Sequence, residues 1–341
     1  MPASSFPDLP APNQDNSWLA TLTDTAGQAR LAQTKTCLAP LAQRATLRAS
    51  GADCDEFLQG QLSNDLRHLG ADNAQLAALS SPKGRMLAVL QLARQGDDVT
   101  LSLHRSVADA TLKRLRMFVL RAKVTLEMLP QAVPALGLWG PDAATRLEDI
   151  GLPAPAQPFA LATLEDMQVI RHPGAIPRFE LRAPHERLAV LWQQLEPQTH
   201  AVGSDGWRLL DILAGVPAVY PQTADHFVAQ MANLDVLGGV SFDKGCYTGQ
   251  EVIARLHFLG KLKRRMYLLE APATAPEPGT PIHKVGESAS VGEVVDAVAS
   301  DADHCLLTAV LKNTQAEAPD LRLGSAEGIA LSTPKSFIVH E

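Results

Sequence analysis

The chain has 341 residues and a formal net charge of -7, long enough for two or three domains with cores of their own. An acidic balance gives no basis for broad, charge-driven nucleic-acid binding. No apolar run approaches the length that spans a bilayer. The first residues show neither the basic start and apolar core of a secretory signal nor the Arg-rich pattern of a transit peptide, so the expected compartment is the cytoplasm. Cys37, Cys54, Cys246 and Cys305 are widely scattered, without Cys-x-x-Cys spacing. A disulfide framework, a ferredoxin-type cluster and a stable structural metal are therefore not expected.

In chain order, residues 1–17 are rich in Pro, Asn, Ser and Asp and read as a loose arm. The stretch to Pro40 has weak helical character. Residues 44–50 alternate small or apolar with polar side chains, a strand signature that Gly51 closes. Asp53, with Glu56 three positions on, predicts a helix whose apolar face is Phe57, Leu58, Leu62 and Leu66. Strands follow over 75–79, 85–94 and 99–103, separated by the turns at 80–84 and 95–98. Ser106 and Asp109 open a long helix with Leu112, Leu115, Phe118 and Val119 on its apolar side. The same segment carries Lys113, Arg114, Arg116, Arg121 and Lys123. They read as a solvated face or as a surface for a polyanionic ligand. A strand over 123–129 completes an α+β layer of helices on an antiparallel sheet.

A second unit of similar grammar follows, with strands at 136–139, 167–171 and 178–181 and helices after Gly140 and Pro184. Residues 206–213 form another helix, in which Trp207 and Leu210 share a face and Trp207 reads as core on periodicity alone. After Met266, short alternating runs at 266–269, 291–298, 305–311 and 328–331 are broken by Pro and Gly, which predicts a C-terminal antiparallel β-barrel or sandwich.

Residues 244–251, Lys-Gly-Cys-Tyr-Thr-Gly-Gln-Glu, stand apart. Thr248 and Glu251 fit a capping box ahead of the apolar run 252–254. That places Cys246 just outside a helix N-terminus, where free amides and the dipole favour a thiolate. A glycine-rich turn around a small packed cysteine is the alternative.

This stretch resembles the signature of the YgfZ family, folate-binding relatives of the glycine-cleavage T-protein. The resemblance extends, in order, through Gly51-Ala52-Asp53, residues 57–62, Asn64-Asp65, residues 81–85, residues 119–124, Trp207 with residues 214–217, residues 233–235 and residues 238–242. It implies an α+β fold of two T-protein-like folate-binding units and a C-terminal antiparallel β-barrel. The corresponding division is an arm and lead-in over 1–43, a first unit over 44–130, a second over 131–260 carrying the signature, and a barrel over 261–341.

The resemblance further implies tetrahydrofolate, or a derivative, as ligand and a role in assembling or repairing iron–sulfur clusters in client enzymes. The expected partners are folate and iron–sulfur client or assembly proteins, for a monomer that acts neither on membranes nor on nucleic acid in general. Cys246 is the implied functional thiol, with Lys244, Gln250, Glu251 and Arg255 around it, able to hold iron or a cluster only transiently. Trp207, Tyr247 and Arg44 are the implied folate contacts; Arg44 stands where the family carries a second tryptophan. Asp243 replaces the family's usual lysine.

The alternative function is an aminomethyltransferase or related one-carbon enzyme. The T-protein follows its turn with an acidic pair, whereas this chain has Ala88-Val89 there. No Gly-x-Gly-x-x-Gly follows a strand to bind a dinucleotide.

Overall fold

A computed structural model describes residues 25–130 and 134–338. The expected arm over 1–17 lies outside them. The lead-in holds helix α1 (Thr25–Thr34) and a short strand, β1 (Cys37–Pro40), which its weak helical pattern did not predict. The predicted order then appears: β2 (Arg44–Ser50), α2 (Cys54–Gln61), β3 (Ala74–Ser80), β4 (Met86–Gln95), β5 (Asp98–His104), α3 (Ala108–Val119) and β6 (Thr125–Met128). These five strands form one antiparallel sheet in the order β3-β4-β5-β2-β6. Phe57, Leu58, Leu112 and Leu115 are buried against it, as their helical spacing requires. Phe118 instead faces solvent at 41% exposure.

The second layer contains β7 (Leu136–Trp139), α4 (Ala143–Asp149), β8 (Leu161–Leu164), β9 (Met167–Arg171), β10 (Arg178–Arg182), α5 (His185–Leu195), β11 (His200–Ala201) and α6 (Ser204–Leu213). Its sheet runs β11-β1-β7-β10-β9-β8, so the lead-in strand β1 is internal to it. Cys37, Leu38, Ala39 and Pro40 are all buried. A strand covered on both faces shows no alternation to read.

Helix α7 (Gln250–Phe258) follows the signature. Beyond it come β12 (Arg264–Ala271), β13 (Pro281–Lys284), β14 (Ser290–Asp301), β15 (His304–Lys312), β16 (Leu321–Leu323), β17 (Ile329–Ala330) and β18 (Lys335–Ser336). They make a seven-stranded antiparallel sheet, β17-β16-β13-β14-β15-β12-β18. It curls into a half-barrel around Leu269, Ile282, Val294 and Leu307.

The spatial division departs from the sequential one in a single place that matters for the site. Residues 219–253, expected in the second unit, bury Val219, Phe227, Leu234, Val240, Tyr247 and Ile253 in the core of the first sheet. Asn64 Nδ2 donates to Gly238 O, Ser63 Oγ to Gly239 O and Ser241 N to Ser63 O. These bonds pin the segment to the loop after α2. Such pairing across more than 170 residues leaves no trace in local spacing.

Candidate functional site

The signature is held by its own lysine. Lys244 is buried, and its Nζ donates to the carbonyls of Gln59, Leu62 and Asn64 at 2.7, 2.7 and 2.8 Å. An ammonium has three donors, and all three are used. Burial pushes the Lys244 pKa down to about 8. Its Nζ also lies 4.9 Å from the centre of the Tyr247 ring, a cation–π contact. Tyr247 itself is core, and burial lifts its hydroxyl to about 12. Lys244 is thus engaged by three backbone carbonyls, and Tyr247 by the core of the first sheet. Gln250 Nε2 makes a long contact, 3.4 Å, with Lys244 O.

Cys246 sits between these anchors and is exposed, whereas Cys37, Cys54 and Cys305 are buried. Burial raises Cys37 to about 12 and Cys54 to about 11. The signature thus presents one thiol and hides its flanking lysine and tyrosine. Glu251, Arg255 and Asp243 are exposed. The expected capping box does not form. Gly249, at φ +84, is the N-cap of α7, without a side-chain cap. A left-handed N-cap is needed because this turn abuts the turn at residues 81–85. A Cβ on Gly249 would lie 2.6 Å from Ser81 O and 2.8 Å from Gly84 Cα. Ser81 Oγ in turn donates to Asp225 Oδ1.

A cavity opens where the three sheets meet, and its lining includes Gln43, Arg44, Val89, Gln91, His104, His172, Arg208, Asp211, Tyr220 and Asp296. Arg44 Nη1 donates to Gln91 Oε1 at 2.7 Å and to Glu180 Oε2 at 3.1 Å. Glu180 is fully buried and also accepts from Arg182 Nε and His172 Nε2. Burial works against its ionisation, yet Arg182 and Arg44 hold it well below the usual carboxylate range. Burial likewise depresses His172 to about 4, so at neutral pH a neutral imidazole hydrogen-bonds Glu180. His104, desolvated and facing Arg208 and Arg44, is also lowered to about 4. On the opposite wall, Asp296 Oδ1 accepts from Arg208 and from Tyr220 Oη at 2.9 Å. Asp211 accepts from Arg178 Nη1 at 2.7 Å.

Trp207 lies behind this wall. It is wholly buried, with its ring 4.9 Å from His172, 6.0 Å from Trp139 and 5.1 Å from the Arg178 guanidinium. Gly137 of β7 makes room for it, since a Cβ there would stand 2.4 Å from the indole. The periodicity reading of Trp207 as core describes its position; the expected stacking face is covered. Arg44 does reach the cavity, but with its guanidinium already engaged.

Sequence reasoning missed most of this wall. Two signals were legible. Arg178, Glu180 and Arg182 alternate along a strand that pairs on both sides, and Asp296 interrupts the apolar run 294–299. Buried charges in such places need partners. Among the described residues, no group of three or more His, Cys, Asp or Glu side chains is placed to hold a metal ion, and no helix is long and apolar enough to cross a membrane.

No protein-family model matches the chain. Among characterised proteins it is 32% identical over 282 residues to the tRNA-modifying protein YgfZ of Yersinia pestis (strain Pestoides F), covering 82% of this chain and 85% of that one. It is 34% identical over 269 residues to the protein of the same name from Enterobacter sp. (strain 638), covering 77% and 82%. Among solved structures, the glycine cleavage system aminomethyltransferase T of Bartonella henselae superposes with a TM-score of 0.72 at 18% identity, over 92% of this chain and 89% of that one. The half-barrel and the two sheets are therefore a T-protein-like α+β fold, and the chain belongs to the YgfZ family.

Proposed function

We propose that this protein binds tetrahydrofolate or a derivative in the three-sheet cavity and serves client enzymes, as a cytoplasmic monomer, in assembling or repairing their iron–sulfur clusters through Cys246. The observation that carries the thiol role is the contrast within the signature. Lys244 and Tyr247 are consumed by the fold, while Cys246 is held out to solvent between them. One thiolate offers one ligand where a stable cluster takes about four. Cys246 would therefore hold iron or a cluster only in passing, or exchange with a sulfur on a client. The relatives' name points to tRNA modification as an output, with the client rather than this acidic chain acting on the RNA.

The cavity fits a folate in chemical character. It combines apolar surface from Leu76, Val89 and Phe159 with the polar edges of Arg44, His104 and Tyr220. Gln43 Oε1 and Ser102 Oγ, both of residues that line it, are buried without a hydrogen-bond partner among the described residues. Orphaned acceptors of this kind suit a ligand donor such as a pterin amine. Arg44, Gln43 and Ser102 would orient the ligand, and His172, backed by Trp207, would fix the wall.

Turnover of that folate is disfavoured. Aminomethyl transfer needs a group to position the attacking amine and handle its proton. Here Val89 presents an apolar wall, and Asp211 and Asp296 are tied to arginines. Formation of methylenetetrahydrofolate from an aminomethyl-lipoyl carrier would reinstate the enzyme reading.

The test is complementation of a gene deletion, read by the activities of several iron–sulfur enzymes. Cys246→Ser is expected to accumulate folded and to keep its tetrahydrofolate affinity, yet to leave those activities at the deletion level. Full restoration by this variant overturns the assignment.

A further inference from the structure

Helix α7 carries an apolar stripe along its length. Val252, Leu256 and Leu259 fall at i, i+4 and i+7, one stripe of a helix. A groove lies between α7 and the turn at residues 81–85, lined by Val252, Leu256 and Met231 together with Lys83, Arg85 and Arg255. All three cations are exposed. Among the described residues, Lys83 and Arg255 have no ion-pair partner, and Arg85 reaches only the carbonyl of Asp225, at 3.2 Å. Elsewhere the guanidinium groups of Arg94, Arg178, Arg208 and Arg265 each meet a carboxylate. Among the described residues that line the groove, Glu251 is the only acid. A chain of net charge -7 thus keeps unpaired positive charge along an apolar trough.

We propose that this groove docks an acidic, aliphatic-rich peptide segment of a partner protein. Carboxylates every second or third residue would meet Lys83, Arg85 and Arg255, while intervening aliphatic side chains settle on Val252, Leu256 and Met231. Met231 suits several partners, because an unbranched thioether adapts to different side chains. Single-stranded nucleic acid fits less well, since among the described residues no Phe, Tyr or Trp lines the groove to stack a base. The proposal does not rest on the thiol reading of Cys246 or on folate, and the experiment involves neither, so either can fail alone.

The probe is a fluorescein-labelled synthetic peptide of alternating Glu and Leu, titrated with the full-length protein and followed by anisotropy. Saturable binding is expected, weakened by added salt and reduced about tenfold or more in the K83E/R255E double variant. A matching peptide of alternating Lys and Leu should bind the double variant and not the original protein. An unchanged thermal unfolding midpoint in the double variant is required alongside that reversal, because a misfolded acidic chain would also attract the Lys–Leu peptide. Leu256→Glu should weaken the Glu–Leu peptide while leaving thermal unfolding unchanged. The proposal is overturned by absence of saturable binding, by equal binding to the double variant, or by a tRNA probe that competes for the groove and binds it more tightly than the peptide.

Discussion

At the scale of single residues, the signature separates into a displayed group and a support. The Lys244 ammonium satisfies three backbone carbonyls, two of them through buried hydrogen bonds. Replacing it with Met preserves the stem and removes every donor. Lys244→Met is expected to cost on the order of 3 kcal/mol of stability, because stranded polar groups carry their full desolvation penalty. Urea unfolding measures this directly. A midpoint equal to that of the parent protein would return Lys244 to the role of a chemical neighbour of the thiol. Cys246→Ser is expected to do the opposite, keeping stability and losing function, and the pair of variants separates holding the motif from using it.

At the scale of elements, two turns distant in sequence are fitted to each other. The loop that precedes α7 meets the turn at residues 81–85 through Gly249 and Gly84, and a Cβ on Gly84 would stand 2.9 Å from that of Val252. Gly249→Ala combines a positive φ with contacts too short for any Cβ, and is expected to lose about 2 kcal/mol or more. Gly60 in α2 has open space around its Cα. Gly60→Ala should therefore gain about 0.5–1 kcal/mol from helix propensity. Guanidinium unfolding of the two variants checks the contrast; a mild effect at Gly249 would mean that the two turns part easily. A capping box at Thr248 was a sound expectation from spacing. It fails because the close approach of the turns imposes a left-handed residue where the cap would have begun.

At the scale of the molecule, three sheets share one buried polar seam. Arg44 and Gln91 come from the first, Glu180 from the second and Asp296 from the third, with His172 and Arg208 between. The histidines make this seam acid-sensitive. His172 falls from 6.5 to about 4 on folding, so the unfolded chain takes up its proton first as pH drops. Its contribution is fully present above about pH 6.5 and is lost progressively down to about pH 4, by on the order of 3 kcal/mol for a shift of that size. Thermal unfolding between pH 7 and pH 5 should show a falling midpoint, with a shallower slope in His172→Asn. A midpoint level over that range contradicts a neutral buried imidazole.

What the sequence determined by itself was local. The strand–helix–strand order of residues 44–128 was readable because the helices keep an apolar period and turn residues at 80–84 and 95–98 bound the strands, even though β3 and β5 are buried on both faces. The resemblance rested on short motifs, and the comparisons with known proteins bear out the family and the fold. The tertiary structure decided how those motifs are used. It drew residues 219–253 onto the first sheet, spent Lys244 and Tyr247 on that attachment, set Trp207 behind His172 and gathered the cavity wall from all three sheets. Those outcomes depend on contacts between residues far apart in the chain. Such contacts leave no periodicity, and a side chain's identity does not say whether its polar atoms meet a ligand or a backbone carbonyl.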